Sequence, residues 1–81
     1  MQLKQLADWP RAVDSLSHAS VLKSAKRSAL GYFIILEVET EGSSQLKLLE
    51  INTGIMDKII AVLNAHSGRT LDEIAQIEIG D

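Results

Sequence analysis

The 81-residue sequence contains no cysteine, one proline, two histidines and a single copy each of tryptophan, tyrosine and phenylalanine. Each shortage removes a class of function. Without cysteine there is no disulfide, no thiolate metal site and no cysteine nucleophile, a composition that fits a reducing compartment. Three aromatics do not build the stacking platform of a single-stranded nucleic-acid binder. Neither His18 nor His66 has a second histidine three or four residues away, so the usual metal-ligand spacings are missing and no metal is predicted. The many serines include no Gly-x-Ser-x-Gly elbow, and Ser17 and His18 are adjacent in sequence without an orienting acid. Gly31, Gly42, Gly54, Gly68 and Gly80 are scattered and form no phosphate-cradling loop. No apolar run approaches the ~20 residues that span a bilayer. The stretch Met1–Pro10 lacks the apolar core of a signal peptide. The expectation is a non-enzyme with no catalytic set, cofactor or metal, away from the membrane and cytoplasmic.

Charge is present but unevenly spread. The net charge is −3. Residues 1–30 carry five basic against two acidic residues, and residues 31–81 carry three against nine. The halves are thus +3 and −6, and can attract each other within one molecule or between two. The overall acidity argues against general nucleic-acid binding, which needs a sizeable positive surface.

The chain length predicts one small domain over residues 1–81, with a small core. Pro10 marks a helix start. From there to about Leu30, Ala12, Val13, Leu16, Ala19, Leu22, Ala25 and Ala29 make a loose helical stripe. Its five serines compete for backbone hydrogen bonds, so a break near Ser17–Ser20 and a short strand around Ala19–Lys23 stand as the alternative. Residues 31–40 and 45–51 read as a β-hairpin. Alternation puts Tyr32, Ile34, Leu36 and Val38 on one face and Phe33, Ile35, Glu37 and Glu39 on the other, with Glu41 continuing the acidic row. The acidic row reads as a solvated face that blocks edge aggregation. Leu46 and Leu48 share a face, whereas Leu49 and Ile51 share the other, which predicts a β-bulge near Leu48-Leu49 or a face buried by something else.

Thr53 then stands as an N-cap for an apolar helix of Ile55, Met56, Ile59, Ile60, Val62, Leu63 and His66, stopped by Gly68. Asn64 falls outside its stripe. His66 reads as a packed or helix-terminal imidazole. Thr70-Leu71-Asp72-Glu73 has the spacing of a capping box and opens a short helix. Ile77-Glu78-Ile79 alternates like a last strand. The expected fold class is α+β: a small antiparallel sheet built on the central hairpin, packed against an N-terminal helix and a C-terminal helix pair, in the order α-β-β-α-α(-β). A hairpin alone is marginal in water. Its third strand comes from Ile77–Ile79, from the 19–23 region or from a second copy.

The hairpin, Ile51-Asn52-Thr53-Gly54, the apolar helix and Gly68-Arg69-Thr70-Leu71-Asp72-Glu73-Ile74 together resemble the pyrroloquinoline-quinone peptide-chaperone family and its relatives, the precursor-peptide recognition domains. The resemblance implies a small winged helix that binds a leader peptide by strand addition. The leading segment and a missing third helix depart from the family pattern, so no binding residue is carried over.

The hairpin has apolar residues on both faces and too few strands to cover itself. The function expected from this is a non-catalytic protein-interaction or regulatory module that self-associates through the hairpin, with another protein or peptide as partner. The candidate interaction residues are Tyr32, Phe33, Ile35, Leu46 and Leu48, with Lys23, Lys26 and Arg27 as a basic group just before them. The alternatives are a peptide-binding chaperone acting by strand addition and a small nucleic-acid-binding regulator using Lys23, Lys26 and Arg27.

Overall fold

The computed structural model describes residues 1–17, 19–51 and 54–80. A short 3-10 turn, Leu3–Gln5, leads into the helix α1, Trp9–Val13. Three strands follow: β1, Val21–Arg27; β2, Phe33–Thr40; and β3, Ser43–Glu50. The helices α2, Met56–Ala65, and α3, Leu71–Ala75, complete the order. The sheet is antiparallel with strands in the order β1-β2-β3. The fold is α+β as expected, and the third strand is β1.

The N-terminal helix is shorter than its apolar stripe predicts. It ends at Val13, and the serine-rich stretch supplies a strand from Val21. The misleading signal has a physical source. The register of β1 on β2 slips between Leu22 and Ser24, leaving Lys23 as an extra residue. The bulge lets Leu22 and Ala25, three residues apart, point the same way, and both are buried. Three-residue spacing imitates a helix; a bulged strand produces it as well. Ser20, also buried, satisfies its hydroxyl on Thr40 Oγ1.

The hairpin itself is regular. Its pairing runs without a slip from Phe33 opposite Glu50 to Thr40 opposite Ser43. The bulge expected near Leu48-Leu49 is therefore absent from β3. The alternative explanation holds: the two leucines point to opposite faces, with Leu49 buried and Leu48 exposed. The turn is Glu41-Gly42, with φ of 52° and 83°. Two positive φ values suit the twist of a two-residue hairpin loop, and Gly42 adopts one without a Cβ penalty.

Helices cover one face of the sheet only. Leu22 and Ala25 of β1, Ile34, Leu36 and Val38 of β2, and Leu49 of β3 are buried on that face. Against them pack Met56, Ile59 and Leu63 of α2, Leu71 and Ile74 of α3, and Trp9 and Ala12 of α1. Such large apolar side chains each contribute roughly 1.5–3 kcal/mol on full burial. The Thr53 cap falls outside the described residues; α2 begins after Ile55. Ile77–Ile79 joins no sheet. Glu78 forms an isolated antiparallel bridge with Gln2, flanked by Leu3 N–H donating to Ile77 O at 2.9 Å and Ile79 N–H donating to Met1 O at 2.7 Å.

Candidate functional site

The three strands have two edges, and the chain treats them differently. The edge of β1 is closed from Ser20 to Ala25. Leu22 N–H donates to Arg69 O at 3.0 Å, and Gly68 N–H donates to Leu22 O at 2.8 Å. Leu71 N–H donates to Ser20 O at 2.8 Å, so Val21 and Thr70 form a bridge. Gly68 reaches this position with φ of 93°, a backbone conformation that a side chain disfavours. The Ser67 hydroxyl donates to Lys23 O at 2.6 Å. Asn64 completes the seal with its side-chain amide, which accepts from Ala25 N–H at 2.9 Å and donates to Ala25 O at 2.8 Å.

The edge of β3 is different. Ile51 N–H donates to Tyr32 O at 2.8 Å, which sets the phase of the ladder. In an antiparallel pair every second residue turns its peptide group toward the partner strand. Leu49, Lys47, Gln45 and Ser43 therefore face β2. Ser44, Leu46, Leu48 and Glu50 turn theirs outward. Glu50 N–H is taken by Asp8 Oδ2 at 2.8 Å. Among the described residues nothing takes the peptide groups of Ser44, Leu46 and Leu48.

The same three side chains lie on the sheet face that no helix covers. Beside Leu48 on β2 is Ile35, and beside Ile35 on β1 is Lys26; Leu46 neighbours Glu37. Leu46 and Leu48 are 67% and 54% exposed, while Phe33 and Ile35 are partly buried. The structure thus brings Phe33, Ile35, Leu46, Leu48 and Lys26 onto one face. Tyr32, 65% exposed, lies with Leu30 in the β1–β2 loop.

Lys23, Lys26 and Arg27 do not form one group. Lys23, in the bulge, pairs with Glu39 at 3.7 Å, and Arg27 pairs with Asp57 at the start of α2 at 3.5 Å. The opposite charges of the two halves of the chain thus meet within the molecule. Glu37 accepts from the Ser24 hydroxyl at 3.4 Å. Glu37 and Glu39 sit on the central strand, where they block no edge, and Glu41 leaves their face for the turn.

A concavity of about 420 Å³ opens between α1 and α3. Trp9, Val13, Leu16, Leu71 and Ala75 make its apolar wall, and Lys4, Asp14 and Asp72 stand around it. Sequence reasoning missed this groove because its walls come from the two ends of the chain. Among the described residues, no three His, Asp or Glu side chains converge as metal ligands would. The His66 ring follows the last turn of α2, and its buried Nδ1 has no hydrogen-bond partner among the described residues. His18 lies outside the described residues.

The displaced pKa of Glu73 has a structural cause. Thr70 caps α3: its hydroxyl oxygen accepts from Glu73 N–H at 3.3 Å, and Glu73 Oε1 accepts from Thr70 N–H at 3.3 Å. The Thr70 hydroxyl donates to Glu73 Oε1 at 3.0 Å. Those bonds, with help from the Arg69 charge, hold the Glu73 carboxyl below its ordinary value. The cap predicted from Thr70-Leu71-Asp72-Glu73 is present, and it holds the residues that close the β1 edge. Comparison of the chain with protein-family models, with curated proteins and with solved structures finds no match in any of the three.

Proposed function

We propose that this chain is a non-catalytic protein-interaction or regulatory module that self-associates through its hairpin. The carrying observation is the unequal treatment of the sheet edges: β1 is sealed by α2, α3 and their loop, while Ser44, Leu46 and Leu48 of β3 keep free peptide groups beside an uncovered face. Proteins that avoid edge pairing place charges, proline or bulges on the edge. Residues 43–49 contain no proline and one charge, Lys47. Lys47 is half-buried as a residue, and its ammonium donates to the Ser15 hydroxyl after α1 at 3.1 Å.

Light scattering over a concentration series tests the reading. The expected result is a mass that rises above the monomer as concentration increases. Leu48→Lys should remove association while far-UV dichroism still reports the fold, because Leu48 lies on the free edge strand and its side chain on the uncovered face. A clean monomer well above micromolar concentration sinks self-association. A second reading, strand addition of a foreign peptide, is favoured by the two-residue spacing of Leu46 and Leu48, which offers alternate side-chain contacts to an extended segment. Binding of peptides by a persistently monomeric chain would select it.

A further inference from the structure

We infer that the occupant of the free edge is the β3 strand of a second copy, paired antiparallel about Leu46 so that the two three-stranded sheets become one, a geometry that rests on the self-association proposed above. On β3, among the described residues, Ser44, Leu46 and Leu48 have both peptide groups free to pair. A two-fold axis that pairs at least two of these residues falls on Gln45, Leu46 or Lys47. Centred on Leu46, the hydrogen-bonded pairs are Leu46 with Leu46 and Ser44 with Leu48, and every free peptide group finds a partner. Gln45 then stands opposite Lys47, a carboxamide beside an ammonium.

The other centres are worse. Centred on Lys47, the two ammonium groups oppose each other, and like charges directly opposite destabilise a strand pair. The same register brings Ser44 against Glu50, whose N–H already serves Asp8. Centred on Gln45, Ser44 meets Leu46, and Leu48 is left opposite Gly42 in the turn. The helices agree with the Leu46 register. Helix α1 guards the Glu50 end of β3 through Asp8 and through Ser15 on Lys47, whereas Ser43 and Gln45 near the turn are exposed. Antiparallel pairing about Leu46 lays the helix-bearing end of each strand beside the bare end of the other.

The absence of cysteine makes the register directly readable. Three variants, Leu46→Cys, Lys47→Cys and Leu48→Cys, are to be oxidised mildly at a concentration where the unmodified chain associates, then run on a non-reducing gel. In the inferred register the two Cα atoms at position 46 lie about 5.5 Å apart, within disulfide reach. Those at position 47 are about 8 Å apart and those at 48 about 14 Å, beyond the ~7 Å limit. The expected result is a cross-linked dimer from Leu46→Cys alone. In the unmodified protein, the amides of Ser44, Leu46 and Leu48 should gain exchange protection as concentration rises. Preferential cross-linking at 47 or 48 overturns the register and leaves self-association standing. An oligomer with no cross-link at 46 and no concentration-dependent protection overturns edge pairing. A monomer at every concentration overturns both this geometry and the self-association on which it rests.

Discussion

The two edges of the sheet start from the same backbone chemistry and end differently. Both β1 and β3 offer alternate N–H and C=O groups to the outside. Along β1 from Ser20 to Ala25, residues 39 or more positions away in sequence satisfy them: Asn64 from α2, Ser67 to Arg69 from the following loop, and Leu71 from α3. Along β3, Asp8 satisfies Glu50 and nothing described satisfies Ser44, Leu46 or Leu48. An edge need not be closed by another strand. One carboxamide can occupy both peptide groups of a residue, as Asn64 does at Ala25, and a capped helix start can hold a bridge in place.

The largest test of this contrast removes the anchor of the closing helix. Ile59 is fully buried on α2. Ile59→Ala should cost about 2–5 kcal/mol in denaturant unfolding, the usual range for emptying a core position. A loss well under 1 kcal/mol would mean that α2 does not depend on packing to reach β1.

Next is the seal itself. Asn64 lies outside the apolar stripe of its helix, and from sequence alone its replacement should do little. The two bonds to Ala25 change that expectation. At about 0.5–1.5 kcal/mol for each hydrogen bond, Asn64→Ala should cost about 1–3 kcal/mol. Gln45→Ala, at an exposed position of β3, should stay within about 0.5 kcal/mol. Equal midpoints for the two variants would show that edge closure at Ala25 carries no stability.

A smaller effect is expected at the start of α3. Thr70→Ala removes the N-cap and should cost about 0.5–2 kcal/mol. Because Thr70 bridges Val21, amide exchange at Leu22 should quicken more than at Leu36 in the middle of the sheet. An unchanged denaturant midpoint and slope would contradict the capping role.

Glu73 gives the same contact a pH dependence. Its carboxyl titrates lower in the folded chain than in the unfolded one, mainly because of the Thr70 hydroxyl and backbone N–H bonds, with Arg69 adding to them. The associated stabilisation is therefore complete above the ordinary carboxylate range and is lost as pH falls through the lowered folded value. Glu73→Gln should flatten that part of the stability–pH curve. A parent and variant with parallel curves through the acid range would remove the linkage. The smallest effect belongs to His66→Gln, which lies away from the β3 edge; self-association should stay within about threefold, roughly 0.65 kcal/mol.

How much of this was legible in the sequence varied with the kind of signal. The β2–β3 hairpin was readable because alternation, β-branched residues and Glu-Gly coincide, although Ser43 and Ser44 belong to β3 and not to the turn. The 55–66 helix and the Thr70–Glu73 cap were readable because each depends on residues within one or two turns. Strand β1 was read as a helical stripe, with a short strand around Ala19–Lys23 as the alternative, because a bulge at Lys23 converts two-residue alternation into the three-residue spacing of Leu22 and Ala25. The same error joined Lys23 and Arg27 in one basic group, whereas one pairs with Glu39 and the other with Asp57.

By itself the sequence determined the local elements and the exclusions: an amphipathic helix, a capped helix start, a tight hairpin, and no cysteine chemistry. These depend on interactions between near neighbours or on composition, and both are written along the chain. Tertiary structure decided which hairpin face is covered, which sheet edge is closed and what the amide of Asn64 does. Those outcomes depend on backbone groups meeting side chains 39 or more residues away. A single sequence records no distance between them. Leu48 and Leu49 are the same amino acid in adjacent positions, yet one stands on an uncovered face and the other lies in the core; only the packing of α1 and α2 on one side of the sheet separates them.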